Sequence, residues 1–384
     1  MGSPSSSGHY VTTTVTGESV SAFVPNPLPP LLPAHELSSL GDLLRQAEVA
    51  LARLDLAGEM IPSLDWFIYA FIRKEALLSS EIEGAQATLV DLMAWEQTEQ
   101  AGESSLQDIE EVANYVAAVN YAFDQLRSPT GTPLSTRLLN DCHRLLMTGA
   151  RGANKQPGEL RRSQNWIGGS RPGNAAFVPP PPLLVPDLLS DLERYIHSTH
   201  ELPPLLRIAM VHVQFETIHP YLDGNGRLGR MLIALLLEHW QLLKSPLLYL
   251  SLYLKQNQSS YYRWLSAIRT DDDWLGWFRF FLQGVLDIAH DATHTARALH
   301  ARVTDDRQLL LGTSGATVSA IQLFERLPKQ PVITMPLVTR LLSTSKPTAG
   351  KAIDALLRAG ILVEIGSRKR DRLYRYEHYL RLLG

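Results

Sequence analysis

The residues best suited to chemistry lie together in one short stretch, 219–230, which reads HPYLDGNGRLGR. The imidazole of His219, with an ordinary pKa of about 6.5, can accept a proton from a hydroxyl group near neutral pH. Pro220 disfavours the helical conformation for His219 and so predicts that this residue ends a helix. Gly224 and Gly226 permit positive φ, so successive backbone N–H groups can turn towards one anion, above all a phosphate.

Three charged side chains of the same stretch indicate a ligand that carries phosphate. Arg227 and Arg230 are three residues apart and therefore share one face of the first helical turn. Two cations at the positive end of a helix dipole are unfavourable unless an anion such as a polyphosphate neutralises them. Asp223 is the one carboxylate of the stretch, and Mg²⁺ commonly combines one or two carboxylates with phosphate and water oxygens. The stretch therefore predicts a site of nucleotidyl or phosphoryl transfer.

Other readings of the glycines are excluded by the flanking sequence. Gly224, Gly226 and Gly229 satisfy the dinucleotide pattern G-x-G-x-x-G, but that turn must follow a strand, whereas residues 205–218 have helical spacing. No Lys-Ser or Lys-Thr pair follows, so the stretch is not a P-loop. A plain turn between helices has no use for His, Asp and paired Arg together. The sequence predicts a helix, a loop and a second helix, with the loop leading into a helix N-terminus.

Composition narrows the class of protein. The chain has 384 residues, of which 45% are hydrophobic and 20% charged, which is typical of a globular protein of two or three domains. The net charge, 36 − 39 = −3, excludes a protein that is basic throughout. The single cysteine, Cys142, excludes internal disulfides and zinc sites with several cysteines. Because residues 1–20 lack the pattern of a secretory signal and the longest apolar run, 231–237, is short, we expect a cytoplasmic protein with no membrane segment.

Apolar residues recur at helical spacing from residue 36 onwards, which predicts a mainly α fold. Residues 11–24 instead alternate like a β-hairpin, and residues 149–182 are rich in Gly and Pro, which indicates a functional loop or an element that the pattern conceals. We expect three parts: a flexible N-terminus with a hairpin (1–35), a helical catalytic domain (36–302) and a small C-terminal domain (310–384).

The C-terminal part has the pattern of a winged helix-turn-helix. The expected elements are three helices and two strands, at 317–327, 336–342, 347–359, 361–365 and 373–376. From Lys346 to the end, nine Lys or Arg residues stand against four Asp or Glu, with a basic run at 368–372. This basic bias suits DNA, but a solvated or protein-binding surface would have the same composition, so both interpretations stay open.

The loop resembles the Fic (Fic/Doc) family motif HPFx(D/E)GNGRxxR, with Tyr221 as the one conservative departure. The resemblance extends over roughly residues 20–300 and is strongest to the bacterial two-domain type with a C-terminal winged helix. It implies a Fic-type helical bundle with a short β-hairpin flap. It also implies transfer of AMP from ATP to a Ser, Thr or Tyr hydroxyl of a target protein.

The resemblance assigns roles to the loop residues. His219 would be the general base that deprotonates the target hydroxyl, and Asp223 would hold Mg²⁺ on the α- and β-phosphates. The nucleotide-binding set would be Gly224, Asn225, Gly226, Arg227, Gly229 and Arg230. Within that set, the first three residues would form the anion hole, Arg227 would steady the phosphates and Arg230 would bind the γ-phosphate.

Two further segments resemble parts of the family's site. Residues 158–161, 165–168 and 176–180 resemble the flap, which aligns the target as an added strand. Asn257, Tyr261 and Tyr262 resemble the residues on the adenine side.

A helix expected at 64–84 ends in a pattern that resembles the family's inhibitory motif (S/T)xxxE(G/N), through Ser79, Glu83 and Gly84. Residues four apart share a helix face, so Ser79 and Glu83 can both reach the anion loop. The resemblance implies that Glu83 pairs with Arg230 as a bidentate partner and takes the place of the γ-phosphate. The alternatives are that Glu83 is a surface residue or that Glu81 takes its role.

The sequence leaves three functions to distinguish. The first is AMPylation of a target protein, or of the chain itself, restrained by Glu83. The second is removal of AMP or transfer of another phosphate-containing group at the same site, with Glu83 positioning water. The third is a transcriptional regulator that binds DNA through residues 310–384. Self-association into a homodimer is left open.

Overall fold

The computed structural model describes residues 6–60, 64–98, 104–149, 154–366 and 372–383, and most of them are helical. The helices are α1 (Ala34–Ser38), α2 (Gly41–Met60), α3 (Leu64–Ile82), α4 (Leu89–Thr98), α5 (Leu106–Arg127), α6 (Thr136–Leu146), α7 (Val185–His197), α8 (Pro204–Ile218), α9 (Asn225–His239), α10 (Ser251–Gln256), α11 (Gln258–Asp271), α12 (Trp274–Gly312), α13 (Val318–Phe324), α14 (Met335–Leu341), α15 (Lys346–Arg358) and α16 (Glu377–Leu383). The strands are β1 (Gly8–Val15), β2 (Glu18–Pro25), β3 (Val332–Thr334), β4 (Leu362–Ile365) and β5 (Leu373–Tyr376). The prediction of a mainly α fold is confirmed.

Helix α8 forms the centre of the helical bundle. Every residue from Leu205 to Ile218 is buried, as expected of a helix surrounded by other helices. The indole of Trp277 in α12 donates a hydrogen bond to the carbonyl of Ala209 at 3.0 Å, which fixes α12 against α8. None of the described helices combines the length and hydropathy needed to span a membrane. Because α8 is enclosed on all sides, its C-terminal end presents His219 on a rigid support.

The N-terminal hairpin is present and packs onto the Gly- and Pro-rich stretch. Strands β1 and β2 pair antiparallel from Gly8 opposite Pro25 to Val15 opposite Glu18. The N–H of Phe23 donates to the carbonyl of Val178 at 3.0 Å, so a backbone hydrogen bond joins β2 to that stretch. The first residues, 1–5, which the sequence predicts to be flexible, lie outside the described part of the chain. The hairpin therefore supports residues 165–178.

The described C-terminal part contains the three helices and two strands that the sequence predicts, with one further strand, β3, and one further helix, α16. Strand β3 lies between α13 and α14, and the sheet order is β3-β5-β4 with antiparallel pairing. Helix α12 continues to Gly312, through the expected boundary near residue 302, so no linker separates the two parts there. The basic run predicted at 368–372 lies outside the described residues, except for Arg372.

Candidate active site

The loop between α8 and α9 is shaped by two residues with positive φ. His219 has φ 48° and ψ 61°, and its N–H donates to the carbonyl of Phe215 at 2.9 Å, which caps α8. His219 is thus outside the helical region, as Pro220 predicts, and it adopts the left-handed conformation in particular. Gly224 precedes α9 with φ 76°, a conformation that glycine adopts without strain because it has no Cβ. These two turns direct the loop around the N-terminus of α9.

Asn225 holds the loop closed from within. Its side-chain oxygen accepts the N–H of Tyr221 at 2.9 Å, and its amide nitrogen donates to the carbonyl of Tyr221 at the same distance. Asn225 is 1% exposed and does not line the cavity described below. Both hydrogen bonds of the Asn225 side chain thus hold the backbone of the loop between α8 and α9.

The loop is also fixed from α6 by His143. The Nδ1 atom of His143 accepts the N–H of Gly158 at 2.8 Å, so Nε2 carries the proton and donates to the carbonyl of Asp223 at 3.0 Å. The His143 ring stacks on Tyr221 with centroids 3.9 Å apart. The Tyr221 hydroxyl, the departure from the Fic motif, donates to Asn140 at 2.8 Å and is therefore accommodated.

Arg230 is bound by the end of α3. Its Nη2 donates to Glu83 Oε1 at 2.7 Å and to the carbonyl of Ser79 at 2.9 Å, while its Nε donates to Ser79 Oγ at 2.8 Å. The Arg230 side chain is 2% exposed and that of Glu83 is 37% exposed. The expected bidentate carboxylate pair is therefore wrong in detail, because Ser79 takes the donors that a second carboxylate oxygen would take. Gly84 has φ 97° and ends the helix.

The remaining members of the predicted nucleotide-binding set lie in different surroundings. A Cβ on Gly226 would come within 2.3 Å of Glu83 Oε1, so this glycine permits the close approach of Glu83 to the loop. A Cβ on Gly229 would meet Glu216 Oε1 at 2.3 Å, which places Gly229 at the contact with α8. Arg227 pairs with Glu111 of α5 at 2.9 Å. Both arginines of the stretch thus have a carboxylate partner within the protein.

A cavity of about 580 Å³ opens between the loop, α11 and the stretch 165–178. It is lined by Glu83, Trp166, Ile167, Gly168, Ala176, Phe177, Glu216, His219, Gly226, Arg230, Tyr261, Tyr262, Leu265, Ser266 and Arg269. The stretch 219–230, the end of α3 and α8 contribute charged groups to this lining, whereas the stretch 165–178 and α11 contribute its aromatic rings together with Arg269. This division suits a ligand with a charged end and a planar apolar end.

The three residues predicted for the adenine side separate in the structure. Tyr261 and Tyr262 line the cavity, and the hydroxyl of Tyr261 is bonded to Nε2 of His212 at 2.8 Å. Asn257 does not line it, and its amide nitrogen donates to the carbonyl of Tyr253 at 3.0 Å within the same turn. Asn257 therefore ends α10 and begins α11.

The stretch 165–178 forms one wall of the cavity and is closed on itself by an isolated antiparallel bridge. Ile167 and Phe177 exchange backbone hydrogen bonds of 2.8 and 3.1 Å. The Arg269 guanidinium of α11 lies 3.9 Å from the centroid of the Phe177 ring and so holds the flap over the cavity. Below, "the flap" denotes residues 161–180, which include this pair.

The protonation of His219 is set by its surroundings. Burial lowers the pKa of His219 to about 4, and the positive charge of Arg161 lowers it further. The Glu216 backbone and the Glu83 carboxylate act in the opposite direction without overcoming these effects. The imidazole is therefore neutral at pH 7 and able to accept a proton.

Glu216 is a cavity residue that the sequence analysis did not identify. It lies one helical turn before His219 and its Oε1 is buried without a hydrogen-bond partner. Burial raises the pKa of Glu216 to about 7, against the lowering effect of the Arg230 charge. The signal available in the sequence was the single carboxylate of the helix, three residues before the histidine.

Asp223 is the candidate metal ligand. It is exposed at the mouth of the loop, and its Oδ1 accepts the N–H of Gly224 at 2.6 Å. No group of three or more His, Cys, Asp or Glu residues suited to a metal ion occurs among the residues the structure describes. One exposed carboxylate fits an Mg²⁺ ion whose other ligands are phosphate and water oxygens, and does not fit a metal site made by protein alone.

Comparison with known families identifies two domains in the chain. Residues 42–124 match the family described as "Fic/DOC family N-terminal", and residues 133–237 match "Fic/DOC family". The first contains α3 and Glu83, and the second contains His219 and the whole loop.

Two curated relatives match part of the chain. A probable protein adenylyltransferase of Aquifex aeolicus is 39% identical over 66 residues, which are 17% of this chain and 21% of the relative. The protein adenylyltransferase Fic of Drosophila melanogaster is 33% identical over 117 residues, which are 30% of this chain and 21% of that protein. The match thus spans about a fifth of the length of these relatives.

Solved structures share the fold. A Fic family protein from Desulfovibrio desulfuricans superposes with a TM-score of 0.57 at 22% identity, covering 91% of this chain and 98% of that chain. A Fic domain containing signaling protein from Bacteroides thetaiotaomicron superposes with a TM-score of 0.53 at 17% identity, covering 66% and 97%. The Fic-type helical fold predicted from the loop motif is confirmed.

Proposed function

We propose that this chain, with its two Fic/DOC domains, is a protein adenylyltransferase that transfers AMP from ATP to a Ser, Thr or Tyr hydroxyl of a target protein or of itself. The observation that carries the proposal is the neutral imidazole of His219 in one cavity with the N-terminus of α9 and the guanidinium of Arg230. The similarity of part of this chain to two adenylyltransferases supports it.

In the proposed reaction, the target hydroxyl gives its proton to the His219 imidazole as its oxygen attacks the α-phosphorus of ATP. A bond from that oxygen to phosphorus forms, the bond to the bridging oxygen breaks, and pyrophosphate leaves with its electron pair. Backbone N–H groups at the start of α9 and the positive end of its dipole stabilise the charge that develops on the phosphate. Asn225 and His143 act by holding that backbone in place.

Mg²⁺ is the proposed cofactor, and Asp223 is the residue that would hold it on the α- and β-phosphates. When bound, the ion would neutralise phosphate charge. The exposed position of the Asp223 carboxylate at the loop mouth is compatible with this role.

We further propose that Glu83 restrains the reaction. The Glu83 carboxylate is bonded to Arg230 Nη2, which is a donor that the γ-phosphate would otherwise take. Arginine binds carboxylate and phosphate with the same geometry, so the two compete for this guanidinium. Burial disfavours the charged carboxylate, yet the Arg230 charge prevails and holds the pKa of Glu83 below its usual value, so the competing anion persists at neutral pH.

The test is transfer of label from [α-³²P]ATP to protein, with two matched truncations on α3. Glu83→Ala is expected to raise labelling about ten-fold or more, since it frees a charge-assisted hydrogen bond. Glu81→Ala is the control, because Glu81 pairs with Lys255 and not with Arg230. His219→Ala in the Glu83→Ala background should abolish labelling. Equal labelling by the Glu83 and Glu81 variants would contradict the restraint.

Removal of AMP is a second candidate at the same site. The Glu83 side chain is 37% exposed and lines the same cavity as His219, a position from which it can orient a water molecule. Protein labelled by the Glu83→Ala variant would be purified and mixed with unlabelled wild-type chain. Release of AMP by wild type, and not by Glu83→Ala, would favour this direction over transfer.

DNA binding is a third candidate and concerns the C-terminal part alone. Helix α15 follows α14 after a short turn and carries Lys346, Lys351 and Arg358. A mobility shift with the chain's own promoter DNA should weaken steeply with added salt if phosphates are contacted. Binding that is absent at low salt would leave a protein-contacting role for residues 310–384.

A further inference from the structure

Arg161, at the start of the flap, is a buried cation that binds only backbone oxygens among the residues described. The residue is 2% exposed. Its Nε donates to the carbonyl of His219 at 2.8 Å, and its Nη2 donates to the carbonyls of Pro180 at 2.6 Å and Ile218 at 3.3 Å. Its backbone N–H donates to the carbonyl of Pro220 at 2.9 Å. One residue thus bonds to three consecutive carbonyls around His219 and to the far end of the flap.

These contacts offset two unfavourable features of the fold, which are the buried charge of Arg161 and the left-handed backbone conformation of His219. Burial lowers the pKa of Arg161 to about 10, with no acidic partner opposing it. The carbonyls of Ile218 and His219 lie at the C-terminal, negative end of the α8 dipole and compensate for the missing carboxylate. The left-handed conformation of His219 is unfavourable for a residue with a Cβ, and the hydrogen bond from Arg161 to its carbonyl stabilises it.

We propose that Arg161 is a positioning residue that holds the His219 imidazole in one placement relative to the flap. It does so by fixing the peptides on both sides of His219 to the two ends of the flap. The inference rests on the proposed function of His219 as the base and extends it to the element that presents the target. Arg161 does not line the cavity, so it acts through His219 and not on the nucleotide.

The charge of Arg161 has a second effect on the same imidazole. After burial, Arg161 is the main cause that lowers the pKa of His219, and Arg269 from α11 acts in the same direction. The Glu83 carboxylate from the end of α3 opposes it, as does the Glu216 backbone within α8. Arg161 therefore helps to keep the base neutral while it fixes the backbone.

Two variants separate the positioning role of Arg161 from the effect of its charge on His219. Arg161→Gln removes both, whereas Arg161→Lys keeps the charge but carries its donors on a single nitrogen and cannot reproduce the contacts made by Nε and Nη2 of the planar guanidinium. The control is Arg162→Gln, because Arg162 is 81% exposed and pairs with Glu159 on the surface. All are measured in the Glu83→Ala background by steady-state transfer over a range of pH.

We expect kcat to fall about 100-fold in both Arg161 variants, while KM for ATP changes little, because a misplaced base slows the step without touching the nucleotide. The acidic limb of the pH profile should move to higher pH in Arg161→Gln and stay in place in Arg161→Lys. If Arg161→Gln does not fold, Arg161→Lys still decides. A kcat equal to that of the Arg162→Gln control would overturn the inference.

A titration of ¹³C-labelled histidines by NMR, with His219→Ala to assign the signal, gives a readout that needs no transfer. The pKa of His219 should rise from about 4 in Arg161→Gln without reaching the ordinary 6.5, since burial remains. If this shift occurs and no AMP transfer is found, the proposed function fails while the role of Arg161 stands. An unchanged titration curve in Arg161→Gln would contradict that role even if transfer is active.

Discussion

At the residue scale, the guanidinium of Arg230 donates hydrogen bonds to two residues of the protein, Ser79 and Glu83. Its Nε and Nη2 are held by Ser79 and Glu83, but Nη1 points towards Gly226, where an added Cβ would lie 3.0 Å away. That nitrogen thus lies beside the start of α9, where the phosphates of the proposed substrate would bind. We therefore expect ATP to bind while Glu83 is in place, with the γ-phosphate lacking the Nη2 donor.

The pH dependence of transfer follows from His219. Because the neutral imidazole is the reactive form and the pKa is lowered to about 4, activity should be present above that pH and lost as pH falls through it. In the Glu83→Ala background the rate should be flat from about pH 5 to 8. The Glu83 carboxylate raises the pKa of His219, so its loss in this variant should move the acidic limb to slightly lower pH. Tryptophan fluorescence at each pH separates this limb from unfolding, and a limb near pH 6.5 would contradict the assignment.

The sequence alone can relate candidate site residues to one another only where a motif or a helical spacing connects them. Glu83 and Arg230 are far apart in the chain, and the resemblance to an inhibitory motif was enough to pair them. It could not supply the geometry, since the donors taken by Ser79 depend on how α3 crosses α9. His143 and Glu216 have no motif of their own, because their positions follow from burial and from the loop that they meet.

At the scale of elements, the N-terminal hairpin acts as a support for the flap. The carboxylate of Glu18 accepts hydrogen bonds from Arg171 Nη1 at 2.7 Å and from the N–H of Gly173 at 3.0 Å. The apolar side chains of Val15, Val20 and Ala22 pack against Val178 in a small cluster separate from the main core. The flap therefore depends on residues before the two matched domains for its position.

Loosening this support should affect the flap before the rest of the site. Glu18→Gln removes the charge that binds Arg171 and weakens the contact with Gly173, so amide hydrogens at residues 165–178 should exchange faster. The loss is on the order of 0.5 kcal/mol for a partly exposed pair. Hydrogen exchange measured by mass spectrometry checks this, with Glu48→Gln in α2 as the control. Unchanged exchange across the flap would mean that the apolar cluster alone holds it.

The elements illustrate what the pattern of apolar residues can predict. Helices α3 and α8 lie near their predicted bounds, 64–84 and 205–218, because apolar residues recur at helical spacing along each. Strand β3 and the pairing of β2 with Val178 were missed because both depend on backbone hydrogen bonds between distant segments. The end of α12 was also misplaced, since the helix continues past residue 302 with Val303 and Leu310 buried and packs against α13 and α16 of the C-terminal part.

At the scale of the whole molecule, α3 and α12 connect the C-terminal part to the site. The hydroxyl of Tyr379 lies 3.4 Å from the carbonyl of Trp66 in the first turn of α3, and Lys329 pairs with Asp65 at 2.6 Å. Glu83 lies just beyond the opposite end of α3. A displacement of the C-terminal part therefore has a direct route, through one helix, to the carboxylate that restrains Arg230.

A buried polar contact between α12 and the C-terminal part is made by the carboxylate of Asp306 in α12. It accepts the Tyr376 hydroxyl at 2.9 Å and pairs with Arg302, and it is fully buried. Tyr376→Phe would leave a buried acceptor with one donor fewer, so we expect the free energy of unfolding to fall by about 1–3 kcal/mol. Tyr10→Phe, at an exposed tyrosine of β1, is the control.

The same contact allows a prediction about transfer. If a displacement of the C-terminal part reaches Glu83 through α3, Tyr376→Phe should raise labelling from [α-³²P]ATP in a chain that still carries Glu83, and should not raise it further in Glu83→Ala. Loss of stability with unchanged labelling would confine Asp306 to holding the fold together.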